Sequence, residues 1–397
     1  MAVFAYYSVK TGLLGVILLK KIKVVFMVQQ LVCGGAEQAL YDLISLLDKT
    51  KFDVSVLALV GGGVWEDKFR AAGIPVTNIF YRRPQSGSPM VFMKHQLRKM
   101  RIHSVMWKDS RKLLKMFVPQ ETDIVVAYSM WGDENAALAY DTKHVRFIHG
   151  NVANNPDFRK IIEDNLKFMR EYQRIICVSQ ESYHAFRQFT GLKDTVRMYY
   201  NPLNSETVRQ LARQTVELPS DVPVICAVGR LAPEKGYDRL IRIHKDILQQ
   251  GTAHRLVLVG DGPEKEKLMR TVRETGTEES VIFAGYQSNP YPYMKNSRFL
   301  VSSSFTEGLP VIAMEALSLG IPIVSAVPSI GEIFGNECCG IITENDNESL
   351  KEGIRKMLLD EAFYAEARQG ACSRSTFFDG RRMVKEIEDM FTELMEG

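Results

Sequence analysis

The most suggestive chemistry lies in two short stretches of the chain's second half. In Gly229-Arg230-Leu-Ala-Pro-Glu-Lys235-Gly236, two cations follow the apolar run Val224–Val228. Lys235 falls at the expected start of the next helix, where free backbone N–H groups and the helix dipole favour an anion. A guanidinium can grip two phosphate oxygens at once and an ammonium adds a compact charge, so the pair suits a diphosphate. As a pattern alone it suits solvated loop charges equally well.

The second stretch is Phe305-Thr306-Glu307-Gly308-Leu309-Pro310-Val311-Ile312-Ala313-Met314-Glu315, after the apolar run Phe299–Ser302. Glu307 falls in the turn before an expected helix. Gly308 permits close backbone approach to a ligand, and free N–H groups of a first helical turn can face phosphate oxygens. Pro310 fits a first turn, where its missing N–H is harmless. If one helix runs through both glutamates, their spacing brings them to roughly one face. A carboxylate there could accept hydrogen bonds from two neighbouring hydroxyls, as in a sugar diol. A helix-end glutamate plus a buried ion pair is the plainer alternative. Gly34-Gly35 follow the first strand-like run, and His149 closes another, before Gly150-Asn151. Glycine turns are common and a lone histidine is usually structural, so only their strand-end positions commend these residues.

These groups need elements to position them. Ile22–Val28 is short, β-branched and nearly continuous, as strands covered on both faces are. A glycine turn and a helical pattern over 38–47 follow, the opening of a doubly wound unit. Strand-like segments at 52–60, 124–128, 145–149 and 174–179 alternate with helical ones. A second series runs through 224–228, 255–260, 280–284, 299–302 and 321–325. Alternation of this kind predicts two parallel-sheet α/β domains. The expected divisions are an apolar extension at 1–20, domains at 21–203 and 204–378, and a closing amphipathic helix within 379–397. Ligands of such sheets bind beyond the carboxyl ends of the strands, so two facing domains would share one cleft.

Bulk properties agree. The 397 residues exceed one ordinary core, and 46% hydrophobic with 24% charged residues is normal for a globular protein. Disordered, collagen-like and polytopic membrane classes are excluded. A net charge of +3 gives no sign of a nucleic-acid partner. Six cysteines include no C-x-x-C, which fits a reducing compartment. The apolar run at 12–19 before Lys20-Lys21 is too short to span a bilayer and lacks the flanks of a cleaved signal.

In order and spacing, the 229–236 stretch, the Val-Gly-Asp-Gly-Pro run at 259–263 and the Glu307-to-Glu315 element resemble the retaining glycosyltransferases of family 4. The resemblance spans 21–397 and is strongest over 224–335. It implies the GT-B fold: two Rossmann-like doubly wound α/β domains facing an interdomain cleft, with the closing helix crossing back to the first domain. It implies that Arg230 and Lys235 hold the diphosphate of a nucleotide-sugar donor. Glu315 would bind the ribose, while Glu307 and His149 would reach the transferred sugar. Backbone at Gly229, Gly308, Leu309 and Val311 would approach sugar and phosphate. Tyr286 and Gln287 would flank the base, and Gly34 and Gly35 the phosphates and acceptor. No Asp-x-Asp pair occurs, so the two cations would do the work of a metal ion, and neither metal nor other cofactor is expected. In that family the acceptor attacks from the leaving-group side, so no protein base is assigned.

The resemblance favours a UDP-hexose or UDP-N-acetylhexosamine over GDP-mannose. It favours a glycan or lipid-linked saccharide acceptor in bacterial cell-surface polysaccharide synthesis, at the cytoplasmic face of the membrane. Residues 91–117 mix Lys and Arg with Trp107, Phe92 and Phe117, a pattern suited to an anionic membrane surface or to a helix pair with a solvated basic face. Rival readings are a GT-B nucleotide-sugar epimerase or hydrolase and a silent nucleotide-sugar-binding protein. A dinucleotide oxidoreductase lacks its G-x-G-x-x-G after Ile22–Val28, and a glycosidase would not need the cations.

Overall fold

The computed structural model describes residues 20–32, 34–80, 121–129, 140–219 and 221–396, with isolated positions between 90 and 138. The apolar extension before residue 20 and nearly all of the basic stretch at 91–117 lie outside the described residues.

Two parallel sheets form, each covered on both faces. The first contains β1 (Ile22–Val28), β2 (Phe52–Val60), β3 (Val76–Phe80), β4 (Ile124–Ala127), β5 (Lys143–Ile148), β6 (Arg174–Cys177) and β7 (Val196–Met198), in the order β3-β2-β1-β4-β5-β6-β7. The second contains β8 (Val224–Val228), β9 (Arg255–Val259), β10 (Val281–Gly285), β11 (Phe299–Ser302), β12 (Ile323–Ser325) and β13 (Gly340–Ile342), in the order β10-β9-β8-β11-β12-β13. The central strands are continuous apolar runs because helices bury both of their faces. Strand order reverses between β1 and β4, and again between β8 and β11. A crevice opens at such a switch point, beyond the carboxyl ends of the strands.

The last helix, Gly380–Glu396, ties the halves together. Val384, Ile387 and Phe391 pack into the first sheet's core, with the Phe391 ring 6.3 Å from Phe26 and 6.0 Å from Phe52. Phe378 and Met383, at the helix's start, belong to the second core. Glu388 accepts a hydrogen bond from the Asp48 N–H at 2.7 Å.

A buried histidine pair shapes the second domain's response to acid. His254 Nδ1 lies 3.0 Å from the Thr252 carbonyl, which can only accept, so that nitrogen carries the proton. His254 Nε2 then accepts from His244 Nδ1 at 2.8 Å, and His244 Nε2 accepts from the Ser280 hydroxyl at 2.9 Å. Every ring nitrogen is used, and burial holds His244 down to about 3. The unfolded chain therefore takes up a proton below about 6.5 that the folded chain refuses. This stability is present above 6.5 and is lost as pH falls towards 3. Thermal melts should show the parent losing more stability between pH 6.5 and 4.5 than His244→Gln. The variant should be weaker at pH 8 by about 1–3 kcal/mol, the usual cost of leaving buried partners unmet.

Candidate functional site

The carboxyl ends of the two sheets face each other across a cleft of about 2140 Å³. All of the residues singled out from sequence line it: Gly34, Gly35, His149, Gly229, Arg230, Lys235, Tyr286, Gln287, Glu307, Gly308, Leu309, Val311 and Glu315.

Tight backbone packing places the cations. Gly229, just past β8, has φ 152°, and Gly260, just past β9, has φ 150°. A β-carbon on Gly260 would stand 1.9 Å from the Gly229 carbonyl oxygen, so these two loops meet only as glycines. Arg230 then emerges into the cleft, its Nη2 2.7 Å from Glu234 Oε1. Lys235 ends a 3-10 turn, Pro233–Lys235, and the helix proper starts at Tyr237, after Gly236 at φ 64°. It thus stands just before the helix rather than on it. Ser303 Oγ donates to the Lys235 carbonyl at 2.8 Å, and the Phe305 N–H donates to the Glu234 carbonyl at 2.8 Å. The Arg239 guanidinium bonds the Ser303 and Ser304 carbonyls. These bonds lock the Lys235 turn to the loop that carries Glu307. Lys235 Nζ pairs with Glu307 Oε1, which also accepts from Ser304 Oγ at 2.7 Å.

Glu307 lies in the turn before the helix, where the sequence places it, so the condition for the two glutamates to share one helix face does not hold. The helix is Val311–Ser318, with Pro310 as its cap. A residue before proline is held out of the helical region, so Leu309 cannot join, and Glu307 stays on the loop. Glu307 faces Lys235, while Glu315 lies on the helix, 6% exposed, accepting from the Tyr291 hydroxyl at 2.9 Å. Burial pushes Glu315 up to about 7; the Tyr291 bond opposes this, and Asp42 from the first domain adds to it.

The first domain closes the other side. A β-carbon on Gly308 would lie 2.6 Å from the His149 carbonyl oxygen, and one on Gly35 would lie 3.5 Å from Val311 Cγ2. His149 packs against Tyr128 with the rings tilted and their centroids 4.5 Å apart, and its Nε2 is enclosed without a partner. Burial, aided by Arg146, takes it down to about 3, so the ring is neutral. Gln287 Nε2 is turned to the Ala284 carbonyl at 2.7 Å, and Tyr286 stands 48% exposed. Sequence reasoning passed over Glu37, Asp42 and Tyr291. Glu37 was legible as an acidic residue in the first turn after a glycine loop; Asp42 and Tyr291 matter only through folded neighbours.

Among the described residues, no cluster of three or more His, Cys, Asp or Glu is arranged to hold a metal ion, and no helix is long and apolar enough to cross a membrane.

Two Rossmann-like sheets with opposed switch points and one shared cleft define the GT-B class of fold. Over 94% of this chain and 100% of the other, the structure matches the Anabaena HepE protein solved with UDP and glucose, at TM-score 0.75 and 20% identity. Residues 33–207 match the model described as Glycosyltransferase Family 4, and residues 208–374 the one described as Glycosyl transferases group 1. The chain belongs to the family 4, group 1 glycosyltransferases. It is 30% identical over 190 residues to a Campylobacter jejuni N-acetylgalactosamine-N,N'-diacetylbacillosaminyl-diphospho-undecaprenol 4-alpha-N-acetylgalactosaminyltransferase, covering 47% of this chain and 51% of the relative. It is 26% identical over 235 residues to the Rhizobium meliloti lipopolysaccharide core biosynthesis glycosyltransferase LpsD, covering 59% and 66%. The chain thus spans about half to two thirds of the length of these curated relatives.

Glu315 supplies a test of the site's electrostatics. Folded, it holds a proton that the unfolded chain releases above its ordinary 4.5. The stability it contributes is therefore present below 4.5 and lost as pH rises through about 7. Glu315→Gln should gain on the parent by on the order of 2–3 kcal/mol between pH 4.5 and 8, since each tenfold change in proton affinity on folding is worth about 1.4 kcal/mol. Paired chemical melts at the two pH values measure it.

Proposed function

We propose that the chain is a retaining, metal-independent glycosyltransferase that moves a sugar from a UDP-sugar to a glycan or lipid-linked saccharide in cell-surface polysaccharide synthesis. The observation that carries this reading is the placement of Arg230 and Lys235 in the loop after β8, lining the same cleft as the first residues of the Val311 helix. Breaking a sugar–phosphate bond builds negative charge on the departing diphosphate. Fixed cations facing it are worth most when that charge appears.

Each cation rests on a carboxylate: Arg230 on Glu234, Lys235 on Glu307. An arriving diphosphate replaces Glu307 as the partner of Lys235, and Glu307 turns to the sugar hydroxyls. Free N–H groups at the start of the Val311 helix add to the phosphate cradle. Glu315 takes the ribose, with Tyr286 and Gln287 beside the base and His149, a neutral ring, beside the sugar. The acceptor hydroxyl enters on the leaving-group side and a donor phosphate oxygen receives its proton. The nucleotide sugar is a substrate, and no cofactor takes part. The work belongs at the cytoplasmic face of the membrane, with 91–117 as the contact.

UDP, UDP-hexoses and UDP-N-acetylhexosamines should raise the melting temperature, as any ligand of the native state does. Arg230→Ala and Lys235→Ala should each weaken UDP binding by about 10–100-fold, the loss of one charge-assisted bond. Glu307→Gln should lower turnover with polyprenyl-diphosphate-linked saccharides more than it lowers UDP affinity. Equal UDP stabilisation of parent and both cation variants would remove the diphosphate role.

A further inference from the structure

One acidic group in the first-sheet wall of the cleft has no part in the scheme above. Glu37 lies in the first turn of the helix Gly35–Leu46. Its carboxylate folds back across the glycine turn, Oε2 lying 2.6 Å from where a β-carbon on Gly34 would stand. It lines the same cleft as Lys235 and Glu307, and a β-carbon on Gly35, two residues earlier, would lie 3.5 Å from Val311 Cγ2 across the seam.

Burial pushes Glu37 up to about 7; only its own backbone N–H offsets this, and no described cation does. Such a group suits a particular kind of ligand. Ionised, it repels a phosphate. A hydroxyl it can engage in either state, accepting the O–H when ionised and donating as well when protonated. The wall around it holds further unmet capacity. The Tyr128 phenol oxygen is enclosed, has no hydrogen-bond partner, and feels the Glu37 charge. Tyr128 packs in turn on His149, whose Nε2 is also unpartnered. Buried polar atoms are nearly always satisfied, so unmet atoms on the cleft-lining residues Tyr128 and His149 leave polar capacity in this wall that packing has not used.

We infer that Glu37 binds the acceptor: its carboxyl holds the attacking hydroxyl of an uncharged saccharide unit against the first-sheet wall, opposite the donor diphosphate. This rests on the transferase reading. In the transfer, the bond from acceptor oxygen to anomeric carbon forms as the bond from anomeric carbon to phosphate oxygen breaks. The electron pair leaves with the diphosphate, and the hydroxyl proton passes to one of its oxygens. Glu37 aims the hydroxyl and is not the proton's destination.

The test compares Glu37→Gln, which keeps the shape and one acceptor oxygen, with Glu37→Ala. UDP affinity should stay within about twofold of the parent in both. The KM for a polyprenyl-diphosphate-linked saccharide should rise about tenfold in Glu37→Ala and less in Glu37→Gln, with kcat changing less than KM, as expected for one lost hydrogen bond. UDP release from donor by water, which occupies the same place, should slow in the same order without any acceptor. UDP affinity falling in step with these effects would put Glu37 on the donor and overturn the inference. Both variants matching the parent would leave it a helix-end carboxylate and overturn it equally. A parent that neither binds UDP nor releases it from any donor would overturn the transferase reading itself, and the inference with it.

Discussion

The cleft depends on backbone meeting backbone at its seam. Gly308 lies so close to the His149 carbonyl that no β-carbon fits there, while a β-carbon on Gly35 would just meet the Val311 side chain. A single extra carbon at 308 would sit 2.6 Å from an oxygen that cannot yield, and would hold the halves apart. The same device recurs inside the second domain, where Gly260 passes Gly229, and Gly236 passes the Ser303 carbonyl. Each contact brings a chemistry-bearing loop closer to its neighbour than side chains would allow. Site geometry is therefore set by missing β-carbons as much as by the charged groups they admit.

Given that approach, the charge balance follows. The described acids of the cleft outnumber its cations. Arg230 and Lys235 each keep a carboxylate close, while Glu37 and Glu315 are left to burial. The Arg230–Glu234 pair is largely exposed, with 61% and 39% of the side chains accessible, and such pairs contribute little to stability. Lys235 and Glu307 are more enclosed and are braced by Ser304, so that cation is held in place before any ligand arrives. One cation of this loop is thus loosely paired at the surface and the other braced within the cleft.

Most of this was legible in the sequence, and the gaps have a common cause. The ten strand-like runs picked out by apolar content correspond to β1, β2, β4, β5, β6, β8, β9, β10, β11 and β12. The unnoticed strands β3, β7 and β13 all lie at sheet edges. An edge strand is short and partly solvated, with burial too patchy over Val196–Met198 or Gly340–Ile342 to give a continuous apolar signature. At the site, strand-end position and charge type brought every chosen residue to the cleft. Pro310 bars Leu309 from the helix and keeps Glu307 in the turn where the sequence placed it, off the helix that carries Glu315. Tyr291 and Asp42 carried no signal of their own: an apolar-context tyrosine and a mid-helix aspartate gain meaning only when Glu315 is folded beside them.

The two chain crossings between the halves then decide how the cleft can open. One passes through Leu203, the other through Gly380, and a β-carbon on Gly380 would stand 2.3 Å from the Leu203 carbonyl oxygen and 2.6 Å from Leu46 Cδ1. The crossings therefore lie side by side and leave one common place to bend. Beyond them, Glu332 of the second domain accepts from the Gln180 N–H at 2.5 Å, capping the first-domain helix Gln180–Thr190. A carboxylate at a helix N-terminus is favourable but modest, on the order of 0.3–1 kcal/mol when exposed. The halves are thus joined at one packed crossing, at the Glu332 carboxylate on a helix end, and at a seam where Ala39 of the first domain packs in the second domain's core beside Leu309 and Val311. Each sheet is packed by its own core clusters, so the seam holds the two strand-end loop sets together without either sheet depending on it.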